Sequence, residues 1–256
     1  MPGGAQSVLD ERTLEASNAN LLAVLSPGKS VLDVGCGSGA ITQGIARAVG
    51  PQGHVWGVDR SAELIGEAQR QHGHLTNLTF ECGDILDYPA TPRFDIVTTA
   101  RTLQWIAGPE VVVRHLAALL KPGGFLCVLD YNHTRIAWEP EPPAPMQYFY
   151  DAFLRWRSDA GMDNAIGDHI GNILEAEGLT VVLSEDRSEY TSREMASFST
   201  HIRLWTTVAQ TRGKQLVTDG YIGEAQRLEA IEAYTAWCAT SAASMRLYLR
   251  ATHATK

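Results

Sequence analysis

The sequence has little positive charge and no apolar stretch long enough to cross a membrane. Its 256 residues carry 21 Lys and Arg against 29 Asp and Glu, a formal net charge of −8, and no run of basic residues stands out. This disfavours broad electrostatic attraction to nucleic acid or to an anionic membrane, because both need clustered positive charge. We therefore expect a small molecule as the partner, with neither a nucleic acid nor a membrane involved.

Cysteine is also scarce, and its spacing excludes two kinds of site. The four cysteines are Cys36, Cys82, Cys127 and Cys238. They form no C-x-x-C pair, so neither a disulfide framework nor a cysteine-rich metal site is indicated. The pair His72 and His74 supplies only two ligands, so we expect no metal. With no signal-peptide pattern in view, we expect a reducing, cytoplasmic setting and a monomer or homodimer.

The most informative segment is residues 31–39, which read VLDVGCGSG. An apolar, β-branched run breaks there into a loop with a glycine at every second position. A helix-like pattern follows, with Ile41, Ile45 and Val49 on one face. This order of strand, glycine loop and helix is typical of the opening unit of a Rossmann-like fold.

Asp33 discriminates between the ligands that such a loop can bind. Gly35, Gly37 and Ala40 satisfy the dinucleotide fingerprint, in which a helix N-terminus receives a pyrophosphate. A carboxylate two residues before the first glycine would repel those phosphates, but it would suit a ligand with an ammonium group and no phosphate. The charge therefore favours S-adenosylmethionine (SAM) over NAD. NAD stays open, as does Asp33 serving as an ordinary turn residue.

Strand and helix patterns alternate with short connections as far as about residue 130, which indicates a parallel, doubly wound sheet. Strands are predicted at about 30–35, 54–59, 77–83, 94–99 and 125–130, with a tight turn at 121–124. A leading helix is predicted at 7–25, capped by Ser7. The second half is less regular. There we predict a proline-rich loop at 139–145, helices at 146–160, 166–177, 193–211 and 221–239, and strands at 179–183 and around 245–250.

Four short segments occur in order at predicted strand ends or turns. They are residues 33–39 (DVGCGSG), 57–61 (GVDRS), 83–85 (GDI) and 120–124 (LKPGG). Together they resemble the class I SAM-dependent methyltransferases over roughly residues 25–131. Residues 94–97 (FDIV) and 103–105 (LQW) are also similar to small-molecule enzymes of the trans-aconitate methyltransferase type.

The resemblance implies an α/β fold with a Rossmann-like, doubly wound sheet. Its seven strands would follow the order 3-2-1-4-5-7-6, with the last strand antiparallel and helices on both faces. It further implies one methyltransferase domain, residues 1–256. The core would comprise about 25–131, 179–187 and 243–253, and a helical cap or lid about 132–178 and 193–239.

The resemblance also implies a set of cofactor contacts. The predicted residues are Asp33, Gly35, Cys36, Gly37, Gly39, Asp59, Arg60, Gly83, Asp84, Ile85, Thr99 and Ala100. Asp33 would hold the amino-acid end of SAM, Asp59 would accept both ribose hydroxyls, and Asp84 would accept from the adenine amine. The position of Asp59, 20 residues after Gly39, agrees with the spacing of a ribose-binding acid.

Acceptor contacts are expected from the loops that follow strands four and five, where ligands bind in open sheets. The candidate substrate-binding residues are Arg101, Gln104, Trp105 and Tyr131. His133 is the candidate general base, because its ordinary pKa lies near neutral pH. A base is needed only if the acceptor must lose a proton.

We therefore expect a methyltransferase that passes the methyl group of SAM to a small molecule and releases S-adenosylhomocysteine (SAH). A protein or RNA acceptor is one alternative, although the acidic charge disfavours RNA. A SAM-binding protein without chemistry is another, because its binding motifs would look the same. A nicotinamide dehydrogenase is disfavoured by Asp33.

Overall fold

The computed structural model describes residues 12–256, and these form two compact units. The sheet unit comprises residues 12–130, Ile166–Asp186 and Arg250–Lys256. The helical unit comprises Tyr131–Ala165 and Arg187–Leu249. The chain therefore leaves the sheet unit twice and returns to it twice.

Apart from single residues at the junctions, the boundaries of these units differ from the predicted core and cap in two places. Residues 166–178, predicted as part of the cap, belong to the sheet unit. Residues 243–249, predicted as part of the core, belong to the helical unit. The single strand predicted around 245–250 is two strands, Ser244–Leu247 and Leu249–Thr255, because the chain passes from one unit to the other at this point.

Seven strands form the central sheet, in the order β3-β2-β1-β4-β5-β10-β7. They are β1 (Ser30–Val34), β2 (His54–Asp59), β3 (Leu78–Cys82), β4 (Phe94–Ala100), β5 (Leu120–Tyr131), β7 (Thr180–Asp186) and β10 (Leu249–Thr255). The pairs β1–β2, β1–β4, β2–β3 and β4–β5 are parallel, and β10 runs antiparallel to β7. Counted along these seven strands, the order is 3-2-1-4-5-7-6, so the predicted fold class and topology are confirmed.

Helices cover both faces of this sheet. The helices of the sheet unit are α1 (Leu14–Ser17), α2 (Thr42–Val49), α3 (Ala62–His72), α4 (Pro109–Leu119) and α6 (Ile166–Ala176), with 3₁₀ turns at Ala19–Ala23, Ile85–Asp87 and Leu103–Trp105. Neighbouring strand residues such as Val31 and Leu32 belong to two different apolar clusters, because successive side chains point to opposite faces. One cluster contains Ile45 of α2, and the other contains Val113 of α4 and Ile170 of α6.

The predicted turn at 121–124 lies inside β5. Phe94 pairs with Leu120 and Ile96 pairs with Phe125, so the four residues between Leu120 and Phe125 fall out of register with β4. Gly123 has a φ of 74°, which lets the chain turn there. The strand β5 therefore continues on both sides of a local loop formed by residues 121–124.

A carboxylate joins the amino ends of β1 and β4. Oδ2 of Asp95 accepts hydrogen bonds from the backbone N–H of Ser30 (2.8 Å), from Ser30 Oγ (2.7 Å) and from Lys121 Nζ (3.0 Å). Partial burial raises the pKa of Asp95, but these hydrogen bonds outweigh it and lower that pKa to about 2. This cluster lies at the end of the sheet opposite the glycine loop and serves stability.

The helical unit combines helices with a small antiparallel sheet in the order β6-β9-β8. Its elements are β6 (Ala137–Glu139), α5 (Ala144–Asp159), β8 (Glu189–Ser192), α7 (Phe198–His201), α8 (Leu204–Thr218), α9 (Glu224–Thr240) and β9 (Ser244–Leu247), with a 3₁₀ turn at His133–Arg135. Aromatic rings fill its centre. The ring centroid of Trp205 lies 4.6 Å from that of Tyr150 and 5.4 Å from that of Phe153.

Two predicted helices are interrupted. The leading helix predicted at 7–25 is a single turn, Leu14–Ser17, followed by the 3₁₀ turn Ala19–Ala23, and its proposed cap Ser7 lies outside the described residues. The helix predicted at 193–211 is broken into α7 and α8. Within residues 12–256, no helix combines the length and the apolar character needed to cross a membrane.

Candidate cofactor site

The glycine loop follows β1 and is held against the neighbouring strand β2. Gly35, Gly37 and Gly39 all have positive φ angles, of 76°, 57° and 78°. The backbone N–H of Gly35 donates to the carbonyl of Val58 at 2.8 Å, and that of Cys36 donates to the same oxygen at 3.2 Å. A side chain is strained at positive φ, so the alternating glycines set the shape of this loop.

The side chain of Phe80 in β3 packs against the glycine loop. A Cβ atom added at Gly39 would lie 2.5 Å from Phe80 Cζ, and one added at Gly57 would lie 2.8 Å from Phe80 Cδ1. At Gly37, in contrast, no heavy atom of the described residues comes within 4 Å of such a Cβ. The loop is therefore tightly packed on its protein side and has open space beside Gly37, as a backbone that approaches a ligand requires.

Asp59, at the end of β2, is bonded directly to this loop. Its Oδ2 accepts the backbone N–H of Gly37 at 3.0 Å, and its Oδ1 accepts the N–H of Ser61 at 2.9 Å. The two bonds fix the plane of the carboxylate, and each oxygen keeps a lone pair for a further donor. The predicted ribose acid thus lies against the glycine loop, with its carboxylate held by two backbone N–H groups.

Asp33 is buried beneath the loop and receives a hydrogen bond from the first helix that follows. Thr42 Oγ1, at the start of α2, donates to Asp33 Oδ2 at 2.7 Å. Burial raises the pKa of Asp33 to about 6, with a further rise from the nearby charge of Asp59, while the Thr42 bond acts in the opposite direction. At neutral pH the carboxylate is still largely ionised, so the site presents negative charge where a pyrophosphate would have to lie.

The predicted adenine contacts gather at the ends of β2 and β3. The N–H of Gly83 donates to the carbonyl of Asp59 at 3.1 Å, and Arg60 Nε lies 3.6 Å from Asp84 Oδ2. Asp84 Oδ1 also caps the short turn Ile85–Asp87 by accepting the N–H of Leu86 at 3.0 Å. One oxygen of Asp84 is therefore used structurally, and Ile85 beside it is buried.

Cys36 lies within the glycine loop as a protonated thiol. Burial raises the pKa of Cys36 well above its ordinary value, and the charges of Asp33 and Asp59 raise it further. A thiol in this state is a poor nucleophile. Cys36 is thus a small residue that fits the loop.

The segment after β4 contains a residue with an unusual backbone. Arg101 has a φ of 58°, the one positive φ outside glycine in the part of the chain that the structure describes. Its Nη2 donates to the carbonyl of Ser17 at 3.0 Å, so the guanidinium binds the last residue of α1, and Arg101 is buried. Arg101, a candidate substrate-binding residue, therefore has its side chain directed into the protein.

Gln104 and Asp130 hold this segment in place. Gln104 Nε2 donates to the carbonyl of Arg101 at 3.0 Å, and the N–H of Gln104 donates to Asp130 Oδ2 at 3.1 Å. Gln104 is buried, whereas Trp105 is partly exposed. Sequence reasoning missed Asp130 as part of this arrangement. Its position at the end of β5 was the available signal.

Tyr131 and His133 belong to the helical unit. Tyr131 Oη donates to Glu189 Oε2 at 3.1 Å, and the ring of His133 lies 5.4 Å from that of Tyr131 and 5.7 Å from that of Phe153. Burial, together with the charge of Arg157, lowers the pKa of His133 well below its ordinary value. His133 is therefore neutral at pH 7. Across residues 12–256, no group of three or more His, Cys, Asp or Glu side chains is arranged to hold a metal ion.

Comparison with known proteins places this geometry in a family. A family model described as a methyltransferase domain matches residues 25–178. An uncharacterized methyltransferase of Schizosaccharomyces pombe is 34% identical over 153 residues, which cover 56% of this chain and 53% of that protein. The ubiquinone biosynthesis O-methyltransferase of Coxiella burnetii is 38% identical over 111 residues, covering 42% of this chain and 45% of that protein. The chain thus spans about half the length of these curated relatives.

The fold comparison covers the whole chain. The crystal structure of a SAM-dependent methyltransferase from Aquifex aeolicus superposes with a TM-score of 0.57 at 16% identity, covering 100% of this chain and 98% of that one. A likeness at this identity shows the fold. The glycine loop, the acid at the end of β2 and the seven-stranded topology define the Rossmann-like class to which SAM-dependent methyltransferases of class I belong. With the family model matching more than half of its length, the chain belongs to the methyltransferase domain family.

Proposed function

We propose that this chain transfers the methyl group of SAM to a small-molecule acceptor and releases SAH. The observation that carries the proposal is the bond from the Gly37 N–H to Asp59 Oδ2 at 3.0 Å. It holds a carboxylate with free lone pairs beside the open side of the glycine loop. A ribose with two adjacent hydroxyls suits such a carboxylate, because each hydroxyl can donate to one oxygen.

The residues around Asp59 suit SAM better than a dinucleotide. The buried carboxylate of Asp33 would attract the ammonium group of SAM and would repel a pyrophosphate. Ile85, which is buried next to Asp84, offers an apolar surface for the adenine ring. Thr99 and Ala100, at the end of β4, would then lie towards the methyl group.

The chemistry asks little of the protein beyond alignment. When bound, SAM supplies a methyl group activated by a positively charged sulfur, and an acceptor lone pair attacks that carbon in line as the carbon–sulfur bond breaks. The chain must hold the acceptor in line and keep water away. We propose that Gln104 and Trp105 contribute to the acceptor side, since they follow the carboxyl end of β4.

His133 is proposed as the group that takes a proton when the acceptor is a hydroxyl. Its backbone is fixed on both sides, because its N–H donates to the carbonyl of Asn164 at 2.7 Å and its carbonyl accepts from Tyr150 Oη at 2.6 Å. Burial and the charge of Arg157 lower the pKa of His133, so the imidazole is neutral at pH 7 and has a lone pair for a proton, but the same two causes make it a weaker base than an exposed histidine. The variant His133→Asn should slow methyl transfer by about 10²-fold or more while leaving SAH affinity unchanged.

A small-molecule acceptor is supported by charge and by one relative. The net charge of −8 and the absence of a basic cluster disfavour nucleic acid. The relative from Coxiella burnetii bears the name of an O-methyltransferase of ubiquinone biosynthesis, an enzyme of small-molecule chemistry. We extend that class of acceptor to this chain as part of the proposal.

The test uses SAM with a labelled methyl group, the purified chain and a cell extract separated into small-molecule, protein and RNA fractions. We expect label in the small-molecule fraction, where mass spectrometry would identify the product. The matched control is Asp59→Ala, which should bind SAM weakly and transfer little label. Label in protein or RNA would contradict the small-molecule proposal. SAM binding without transfer to any fraction would favour a binding protein without chemistry.

A further inference from the structure

The side chain of Thr102, which follows β4, lies against the glycine loop at Gly35. A Cβ atom added at Gly35 would lie 2.1 Å from Thr102 Oγ1 and 2.6 Å from Thr102 Cγ2. The same hydroxyl lies 3.4 Å from the carbonyl of Val34 and 3.2 Å from that of Ala100. The Thr102 side chain therefore sits directly on Gly35, at the point where the loop leaves β1.

The left-handed backbone of Arg101 brings Thr102 to this position. Residues 34 and 99 are register partners on the neighbouring strands β1 and β4, so the two chains leave the sheet side by side. The positive φ of Arg101 then turns the chain, which brings the next side chain back over Gly35. A left-handed conformation is unfavourable for a residue with a side chain, and it persists only where its surroundings hold it.

Four hydrogen bonds hold that conformation. The N–H of Arg101 donates to the carbonyl of Leu129 at 2.7 Å, and its Nη2 donates to the carbonyl of Ser17 at 3.0 Å. Gln104 closes the turn by bonding to the carbonyl of Arg101 and, through its own N–H, to Asp130 Oδ2. These bonds hold the backbone of residues 101–104, and with it the Cβ atom of Thr102 beside Gly35.

We infer that Thr102 is a positioning residue that sets the place of the glycine loop and links cofactor binding to the segment 101–105. The inference rests on the proposed function, because it takes the glycine loop as the SAM site. A ligand that shifts the loop at Gly35 would also shift Thr102, and through it Gln104 and Trp105. Because coupling between two sites is reciprocal, whatever orders this segment also favours the loop geometry that binds the cofactor.

The experiment is a double-mutant cycle on Gly35 and Thr102, with SAH as the probe in calorimetry. We expect Thr102→Ala to weaken SAH binding by about fivefold and Gly35→Ala by far more. The double variant Gly35→Ala/Thr102→Ala should bind SAH about fivefold more tightly than Gly35→Ala alone, since it removes Thr102 Oγ1 and Cγ2; the rescue is incomplete because Thr102 Cβ stays 2.9 Å from the added Cβ and the φ of 76° still strains an alanine. If Gly35→Ala does not fold, recovery of folding in the double variant shows the clash alone, and hydrogen exchange in Thr102→Ala then decides the inference.

Two controls distinguish the contact between Thr102 and Gly35 from other effects of the substitutions. Gly37→Ala places Ala at a similar positive φ with nothing within 4 Å, so the unfolding free energies of the two glycine variants without ligand isolate the clash at Gly35. Thr211→Ala removes a threonine whose hydroxyl donates to a backbone carbonyl within α8, and it should leave SAH affinity unchanged within about twofold.

Hydrogen exchange provides a readout that a merely structural role would not change. SAH should slow amide exchange in residues 101–106 of the wild type, and this protection should be lost in a folded Thr102→Ala variant. Additive effects in the cycle, or protection that persists in Thr102→Ala, would overturn the inference while leaving the proposed function standing. A wild type that does not bind SAH would overturn both.

Discussion

Asp33→Asn should change the pH dependence of stability in a direction set by burial. Burial raises the pKa of Asp33 from 3.8 to about 6 in the folded chain. The folded state therefore holds this proton more tightly than the unfolded state does. The contribution of Asp33 to the free energy of unfolding therefore falls as the pH rises between these two values, and the full destabilisation is present above pH 6. A shift of about 2 units corresponds to about 3 kcal/mol.

Asparagine removes the charge and keeps an oxygen that can accept the bond from Thr42 Oγ1. Its amide N–H groups need partners beneath the loop, and leaving them unmet costs about 1–3 kcal/mol. The free energy of unfolding of the variant thus depends both on the removed charge and on the unpaired amide. Only the removed charge changes how that free energy depends on pH. The free energy of unfolding of the wild type minus that of Asp33→Asn should fall by about 1 kcal/mol between pH 5 and pH 7.

Urea unfolding of both proteins at half-unit pH steps would measure this difference, provided that the slopes with urea agree. A difference that stays constant from pH 5 to pH 8 would refute the argument, because it would mean that Asp33 titrates alike in both states. SAH binding gives a second test. The variant should bind SAH more weakly even at a pH where it is the more stable protein, since the carboxylate serves the ligand at the expense of the fold.

The remaining predictions concern the ribose acid, the cluster at the amino ends of the strands and the support of the loop. Asp59→Ala should weaken SAH binding by about 2–3 kcal/mol in calorimetry, and unchanged affinity would sink the ribose assignment. Asp95→Asn should lower the free energy of unfolding by about 1–2 kcal/mol at pH 7, because it weakens the bond to Lys121. The pKa of Asp95 is lowered to about 2, so this difference should shrink as the pH falls below 3.8, and equal stability at pH 7 would contradict it. Gly39→Ala should cost about 2 kcal/mol or more, because its Cβ meets Phe80, and an unchanged Tm would count against that contact.

The first half of the fold could be predicted from sequence because its signals are local. The strand predicted at 54–59 is found there, the one predicted at 77–83 is one residue shorter at each end, and the one predicted at 94–99 is one residue longer. Each is a short apolar run bounded by turn residues and followed by a helix, so periodicity and punctuation coincide. The acids at strand ends could be proposed as site residues for the same reason, because each belongs to a strand that is recognisable from the local sequence.

The second half resisted prediction because its partners are distant in sequence. The strands β6 and β8 are three and four residues long, and both pair with β9, which follows much later in the chain. Strands this short have no readable period, and only the tertiary partner defines them. Likewise, nothing in the residue type marks Arg101 for a left-handed backbone, so the contact of Thr102 with Gly35 could not be foreseen. The roles of His133 and Tyr131 stay predictions.

The place of β10 has a consequence for how the molecule is made. This strand is the last of the described chain in sequence, yet it occupies an interior position, and β7 joins the sheet only through it. Until residues 249–255 leave the ribosome, β5 presents an unpaired edge and β7 has no neighbour in the sheet. An open edge of this kind invites pairing with other chains. Slow synthesis of the preceding helical unit would prolong that exposure, so expression yield should be sensitive to translation speed over residues 187–249.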